Sequence, residues 1–152
     1  MSRLAILSDS SILRYVEAGI LKIDPFSSDS LSPSGYDLRS GLDMEIPRGH
    51  QTLIHTLERV ELPPSIAGEL FIRSSFAREG LLGSFAFVDP GFKGQLTISV
   101  ANLGLREIMI SKGERIVQIV FNELDMPSSR PYSGRYQGSR GVVGSKRVST
   151  DM

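Results

Sequence analysis

A single carboxylate, Asp89, stands at the start of the alternating segment "FVDPGFKGQLTISVANLG", residues 87–104. An aspartate in this position could act as a general base beside a bound substrate, and Phe92 would offer that substrate an apolar face. Asp-Pro-Gly is also ordinary turn chemistry, in which the aspartate bonds its own backbone. Taken by itself, the motif favours the turn, so the catalytic interpretation needs further support.

A second group of side chains could bind phosphate. The segment "IRSSFAR" places Arg73, Ser74, Ser75 and Arg78 within six positions. Hydroxyl donors and forked, permanently charged guanidinium groups suit phosphate oxygens. A solvated polar turn would use the same residues, and the local sequence favours phosphate binding and a solvated turn equally.

Other polar residues are less specific. In "GYDLRSG", Asp37 and Arg39 would share one side of an extended segment, either as a site or as an exposed pair. Gln118 stands among apolar residues in "KGERIVQIVF" and faces either water or a ligand. His50 and His55 have no acidic cluster at metal-ligand spacing, so we interpret them as structural. The sequence contains neither a GxGxxG nor a GxxxxGK[ST] pattern, which excludes the standard nucleotide-binding loops.

The elements that must position these residues are mainly strands. From Tyr36 onward, short alternating segments such as "DMEI", "QTLIH", "GELFI", "REIMI" and "RIVQIVF" are separated by Gly, Pro, Asn and Ser. This pattern predicts a mainly β fold, a small barrel or jelly roll. "RSSFAREG" has no alternation and is expected to form a helical turn between strands.

One short helix is predicted near the N-terminus, in "SDSSILRYVEAG". Ser8 can cap this helix and Gly19 can end it. Its apolar face would consist of Ile12, Leu13 and Val16.

Composition limits the function classes. The chain has 152 residues, 40% of them hydrophobic, which fits one globular domain. Its 17 basic and 17 acidic residues cancel, so no global field would recruit nucleic acid or an anionic membrane. Cysteine is absent, which removes disulfides and thiolate chemistry and fits a reducing compartment. With apolar segments too short for a bilayer, we expect a soluble, cytoplasmic protein with no direct nucleic-acid or membrane partner.

The C-terminal segment, residues 126–150, has a different composition. It is rich in Ser, Gly and Arg and contains five basic residues and no acid. Such a segment cannot form a core of its own, and composition alone favours a frayed terminus.

Taken in order, the motifs resemble the superfamily shared by dUTP pyrophosphatases (dUTPases) and dCTP deaminases. "GYDLRSG", "IRSSFAREG", "FVDPGFKGQLTISVANLG" and "KGERIVQIVF" look like its first four motifs, and "RYQGSRGVVGSK" resembles the glycine-rich fifth. The N-terminal "LSDSSILRYVEAGILKIDPF" is similar to the opening of dCTP deaminases. The resemblance covers nearly the whole chain.

This resemblance implies a distorted jelly roll or β-barrel of the dUTPase-like (β-clip) type with one short N-terminal helix. It also implies a homotrimer whose active sites are shared between subunits. Residues 1–130 would form the β domain, and residues 131–152 a flexible, glycine-rich lid over the bound nucleotide.

The two branches of the superfamily use different acids. In the deaminases a glutamate ten positions beyond the turn aspartate moves protons, and that position here is Ser99. An alcohol is a poor proton shuttle. The sequence therefore predicts a dUTPase that converts dUTP to dUMP and pyrophosphate, limits uracil incorporation into DNA and supplies dUMP for thymidylate synthesis. The alternatives are a dCTP deaminase, including a bifunctional dUMP-forming enzyme, and a non-catalytic nucleotide-binding homologue.

The resemblance also implies roles for individual residues. Asp89 would activate the attacking water, and Phe92 would pack against the deoxyribose and exclude a 2′-hydroxyl. Asp37 would hold waters around a Mg²⁺ that arrives with the triphosphate, since magnesium keeps several waters. The implied substrate-binding set is Arg73, Ser74, Ser75, Arg78, Phe92, Gln118, Tyr136, Gln137 and Arg140.

Overall fold

The structure is a computed structural model that describes residues 5–147. Positions 1–4 of the predicted β domain and positions 148–152 of the predicted lid therefore lie outside the described residues. Two helices are α1 (Asp9–Glu17) and α2 (Ser74–Glu79), and a 3-10 turn covers Ser28–Ser30. The strands are β1 (Lys22–Asp24), β2 (Leu31–Ser32), β3 (Gly35–Arg39), β4 (Met44–Ile46), β5 (Gln51–Glu61), β6 (Ile66–Ile72), β7 (Leu81–Ser84), β8 (Lys93–Asn102), β9 (Ile108–Ile110) and β10 (Arg115–Glu123).

The strands form two four-stranded sheets and one two-stranded ribbon. One sheet has the order β1-β5-β8-β7, the other has the order β2-β3-β10-β6, and β4 pairs with β9. All of these pairings are antiparallel. The predicted jelly-roll-like, mainly β architecture is confirmed, and the helical turn predicted in "RSSFAREG" is α2.

Helix α1 begins where the sequence predicts. The hydroxyl of Ser8 accepts a hydrogen bond from the Ser11 backbone N–H and caps the helix. Ile12 is fully buried, as expected of the apolar face. Leu13 was expected on that face but is 36% exposed. It follows Ile12 by one residue, a rotation of about 100° around the helix axis, which carries it away from the sheet.

The long strands β5 and β8 alternate strictly between two environments. Along β8, Leu96, Ile98 and Val100 are buried, whereas Gln95, Thr97 and Ser99 are only partly buried and point to the opposite face. This is the period-two arrangement of a strand with one face on the core. Strand β8 therefore places a row of neutral polar side chains outside the core.

An ion pair links the two large sheets. The Glu58 side chain on β5 is fully buried and accepts hydrogen bonds from the Arg39 backbone N–H at 2.8 Å and from Arg39 Nε at 2.6 Å. The same guanidinium donates to the Pro25 carbonyl at 2.7 Å. Arg39, which the sequence left open as site or structure, therefore serves to hold β3 against β5.

At the last residue of β5, Glu61 is paired with Arg59 and, at 3.2 Å, with Lys22 of the adjacent strand β1. The hydrogen bond from Arg59 holds the pKa of the Glu61 carboxyl below its usual range. Within the described residues, no helix is long and apolar enough to cross a membrane.

Candidate active site

The turn Asp89-Pro90-Gly91-Phe92 sets the position of the predicted base. The Phe92 N–H donates to the Asp89 carbonyl at 3.1 Å, and Gly91 has a φ of +88°, as a turn of type II requires at its third residue. A Cβ on Gly91 would lie 2.6 Å from the Pro131 side chain, so the tail also needs glycine here.

This turn leaves the carboxylate of Asp89 available. The side chain is exposed, and it makes no hydrogen bond with any residue in the described range 5–147. The backbone alone closes the turn, so the turn does not use the carboxylate. The two interpretations of the motif are therefore compatible: a backbone turn presents a carboxylate that is free for other chemistry.

Asp89 lies at a cavity of about 580 Å³. The cavity floor is the outer face of β8 and β5, and residues 84–88 and the C-terminal tail form its walls. Apolar and aromatic side chains dominate the lining, as is usual for small-molecule sites. They are Leu53, Leu70, Phe85, Phe87, Val88, Phe92, Leu96, Tyr132, Tyr136 and Val143. Of the described residues that line it, only Asp89 is an Asp, Glu, Lys, Arg or His.

Two of the predicted aromatic residues lie in this cavity. Phe92 is 7% exposed, and its ring packs against Tyr132 with 5.8 Å between centroids. Tyr136 lines the cavity from the tail, and its hydroxyl accepts a hydrogen bond from the Lys146 N–H at 2.9 Å.

The tail is held against β8 by hydrogen bonds. The Gly138 N–H donates to the Lys93 carbonyl at 2.7 Å, and the Gln95 N–H donates to the Ser139 carbonyl at 2.9 Å. Further along, the Gly141 N–H donates to Gln95 Oε1 at 2.6 Å, and the Val143 N–H donates to Thr97 Oγ1 at 3.0 Å. The polar face of β8 thus positions the tail over the cavity.

Gln137 and Arg140 differ in their surroundings. The amide of Gln137 is occupied by backbone groups: its oxygen accepts from the Lys93 N–H at 2.8 Å, and its nitrogen donates to the Gly91 carbonyl at 2.8 Å. These bonds attach the tail to the Asp89 turn. Arg140 is exposed on the tail. Their predicted contacts with substrate stay predictions, as does the mobility of the tail.

The remaining predicted residues form a separate group away from the cavity lining. Asp37 on β3 is 8% exposed, and its Oδ2 lies 3.1 Å from Arg73 Nε and 4.0 Å from Arg115 Nη1. Gln118 is the β10 neighbour of Asp37 and donates to the Ser32 hydroxyl at 2.8 Å. Ser74, Ser75 and Arg78 are exposed on α2. Within residues 5–147, none of these side chains lines the cavity.

The donor set around Asp37 suits only indirect metal binding. Two guanidinium groups already face one of its oxygens, and positive charge there opposes direct coordination of a cation. The described residues contain no group of three or more histidines and acids that could hold a metal ion. The predicted role of Asp37, holding waters around a Mg²⁺ that arrives with the triphosphate, stays a prediction.

Four lining residues on β5, β7 and β8 were not singled out from the sequence: Gln51, Ser84, Gln95 and Thr97. Gln51, Gln95 and Thr97 are neutral polar residues within alternating strands, which normally indicates a solvent-exposed face, and Ser84 ends the short strand β7. The alternation could have identified the face, but only the neighbouring tail and the residues 84–88 show that this face is enclosed.

Comparison with known proteins gives the family. Residues 42–124 match the family model described as dCTP deaminase-like. A dCTP deaminase of Thermococcus gammatolerans is 49% identical over 87% of this chain and 93% of its own length. A dCTP deaminase of Pyrococcus horikoshii is 50% identical over 82% of this chain and 90% of its own length. A relative from Aquifex aeolicus, 35% identical over 93% of this chain and 94% of its own length, is named as a dUMP-forming dCTP deaminase.

Solved structures share the fold. The dCTP deaminase of Agrobacterium tumefaciens superposes with a TM-score of 0.70 at 18% identity, covering 80% of this chain and 50% of that one. The dUTPase of EIAV superposes with a TM-score of 0.60 at 24% identity, covering 76% of this chain and 98% of that one. The chain therefore belongs to the dCTP deaminase-like family and has the fold common to the predicted superfamily.

These relatives overturn the predicted choice of branch. The prediction of a dUTPase, a hydrolase acting on dUTP, was wrong, because the relatives that share about half of the sequence are dCTP deaminases. That prediction depended mainly on Ser99, together with the likeness of the strand around it to the dUTPase version, and assumed that a deaminase must carry its acid on the strand. In the structure a carboxylate already reaches the cavity from the preceding turn, so the absence of a glutamate at position 99 does not exclude deamination.

Proposed function

We propose that this protein is a dCTP deaminase that binds deoxycytidine triphosphate in the cavity and replaces its 4-amino group with oxygen. The observation that carries the proposal is the name shared by relatives that match half of the residues over more than four-fifths of the chain. The cavity supports it, because its apolar walls and neutral polar floor suit a pyrimidine base with its deoxyribose.

Asp89 is the group that can move protons in this reaction. Its carboxylate takes a proton from water as the water oxygen forms a bond to C4 of the base, and the resulting carboxylic acid gives that proton to N3. The carboxylate then takes the proton of the new hydroxyl group and gives it to the amino nitrogen. The C4–N bond breaks, and ammonia leaves with a C4 carbonyl in its place. One carboxylate that accepts and returns a proton is sufficient for both stages.

The triphosphate needs cations that the cavity does not supply. The group of Arg73, Arg78 and Gln118, with the hydroxyls of Ser74 and Ser75, offers the donors that phosphate oxygens require. We therefore infer a homotrimer in which this group of one subunit faces the cavity of its neighbour. A Mg²⁺ bound to the triphosphate, with waters held by Asp37, would neutralise part of its charge.

The test is ammonia release from dCTP by the purified protein, with CTP and deoxycytidine as comparison substrates. We expect ammonia from dCTP and far less from CTP, because Phe92 leaves little room for a 2′-hydroxyl. No ammonia from dCTP under conditions in which the protein binds the nucleotide would overturn the proposal and favour the non-catalytic alternative.

The name of one relative suggests that the reaction could also form a second product, dUMP. The Aquifex aeolicus protein is named as dUMP-forming. Chromatography of the same reaction separates the two outcomes: dUTP accumulating with the ammonia indicates deamination alone, whereas dUMP and pyrophosphate in equal amounts with the ammonia indicate the bifunctional form.

A further inference from the structure

The carboxylate of Asp89 makes no hydrogen bond within residues 5–147, so the backbone of its turn alone sets where it lies. One side of this backbone is held by Leu62, the residue after β5. The Gly91 N–H donates to the Leu62 carbonyl at 3.0 Å, and the Leu62 N–H donates to the Phe92 carbonyl at 2.9 Å. The opposite side faces the C-terminal tail, whose contacts therefore also determine the position of Asp89.

On the tail side, a single side chain binds the two backbone groups that flank Phe92. Gln137 Oε1 accepts from the Lys93 N–H at 2.8 Å, and Gln137 Nε2 donates to the Gly91 carbonyl at 2.8 Å. In extended backbone these two groups point to the same edge, which a neighbouring strand would normally occupy. Strand β7 pairs with β8 at residues 99–102 and lies beyond this segment. The Gln137 amide thus takes the place of a strand partner.

The surrounding bonds keep this amide in place. The Gly138 N–H donates to the Lys93 carbonyl at 2.7 Å, and the Tyr132 N–H donates to the Pro90 carbonyl at 2.8 Å. Gln137 Nε2 also donates to the Tyr132 carbonyl at 3.2 Å. Both hydrogens of the amide nitrogen are therefore used, and neither can reach a nucleotide without breaking a bond to the backbone.

We propose that Gln137 is a positioning residue, which acts on the reaction by fixing the backbone that carries Asp89 and not by binding the nucleotide. This inference rests on the proposed function, and it gives Gln137 a different role from the substrate contact that the family resemblance implies. A catalytic group that is displaced by about 1 Å can lose about 10²-fold in rate. The tail thus contributes to catalysis by supporting the base, apart from any covering of the cavity.

The first measurement compares kcat with KM. Gln137→Met keeps the length of the side chain and removes both hydrogen-bonding groups. We expect kcat for ammonia release from dCTP to fall about 10- to 100-fold, while KM stays within about twofold because no contact with the nucleotide is lost. Val142→Ala, a change at a 44% exposed residue of the same tail, should keep both constants. Thermal melts of both variants should match that of the wild-type protein, since both residues are exposed.

A double-mutant cycle shows whether Gln137 acts through Asp89. In the Asp89→Asn background, the Gln137→Met change should lower the remaining rate by less than about twofold, because no carboxylate is left to position. A residue that bound the nucleotide, or that only kept the tail folded, would cost the same factor in both backgrounds. Equal factors, or a loss confined to KM, would overturn the proposal.

Amide hydrogen exchange tests the support of the turn without catalysis. In Gln137→Met the Lys93 N–H loses its acceptor, so its exchange should become at least about threefold faster. The Ile98 N–H in the middle of β8 is the reference and should keep its rate. Unchanged exchange at Lys93 would overturn the role of Gln137. If Lys93 responds but the wild-type protein releases no ammonia from dCTP, the support of the turn stands and the proposed function fails.

Discussion

Asp89 combines two properties that a general base needs and that a structural turn residue lacks. Its carboxylate is exposed at the mouth of the cavity, and within the described part of the chain nothing else bonds it. The turn is held by the backbone and by Gly91. Removal of the charge should therefore leave the fold unaffected.

We predict that Asp89→Asn lowers the rate of ammonia release from dCTP by about 10² to 10⁴-fold, the usual contribution of a general base. The melting temperature should not change. Asp125→Asn, which also alters an exposed aspartate, is the matched control and should keep full activity. Turnover by Asp89→Asn at the wild-type rate would show that Asp89 takes no part in the chemistry.

At the scale of the elements, β5 and β3 depend on the buried pair of Glu58 and Arg39. Glu58 is fully buried and the Arg39 side chain is 20% exposed, so the cost of desolvating the carboxylate is offset only while Arg39 pairs with it. Removal of Glu58 leaves the Arg39 backbone N–H and the Arg39 Nε without their carboxylate acceptor.

Glu58→Ala should consequently lower the free energy of unfolding by about 3–5 kcal/mol. Glu61→Ala, on the same strand but with partners at the protein surface, should cost less than about 1 kcal/mol. Chemical denaturation of both variants measures the difference. Equal losses in the two variants would show that the buried pair has no special role in joining the sheets.

The tail is an element without a core, and its contacts with β8 define what it can do. Tyr132 covers Phe92, whereas the segment from Tyr136 onward is attached mainly through backbone hydrogen bonds to Gln95 and Thr97. The two parts can therefore be separated by truncation.

Deletion of residues 136–152 should reduce kcat for dCTP at least about tenfold, because the cavity loses its cover during the reaction. The melting temperature should shift by only a few degrees, since Tyr132 still packs on Phe92. Steady-state kinetics beside a thermal melt measures both. Full activity in the truncated protein would show that the tail has no role in catalysis.

At the scale of the whole molecule, the predicted site residues lie in two separate places on the chain's surface. Asp89 and Phe92 line the cavity, whereas Gln118 on β10 and Arg73, which directly follows β6, do not line it. A trimer with shared sites would bring the two groups together across a subunit boundary.

This arrangement predicts complementation between two inactive variants. Asp89→Asn and Arg73→Ala should each lose activity, but denatured together and refolded as mixed trimers they should regain about a quarter of the wild-type activity. That fraction follows from random pairing, in which one site in four receives an intact residue from both subunits. A mixture as inactive as its components would place both groups in one subunit or exclude the trimer.

The sequence determined those features that follow from local chemistry. Alternation predicted the sheets, Ser8 predicted the start of α1, and Asp-Pro-Gly predicted the turn that presents Asp89, because backbone preferences act over a few residues. The order of the motifs identified the superfamily. The choice between its two branches failed, since it depended mainly on the residue type at one position, Ser99.

Only the tertiary structure decided which polar residues share a site. Gln51 and Ser99 are 48 positions apart, and their hydrogen bond exists because β5 and β8 pair in one register. Arg39 was a candidate beside Asp37 in sequence, yet it turns to the buried Glu58 while Asp37 faces Arg73. Such contacts depend on strand order and register, which hydrophobic packing of the complete chain fixes and which no local segment encodes.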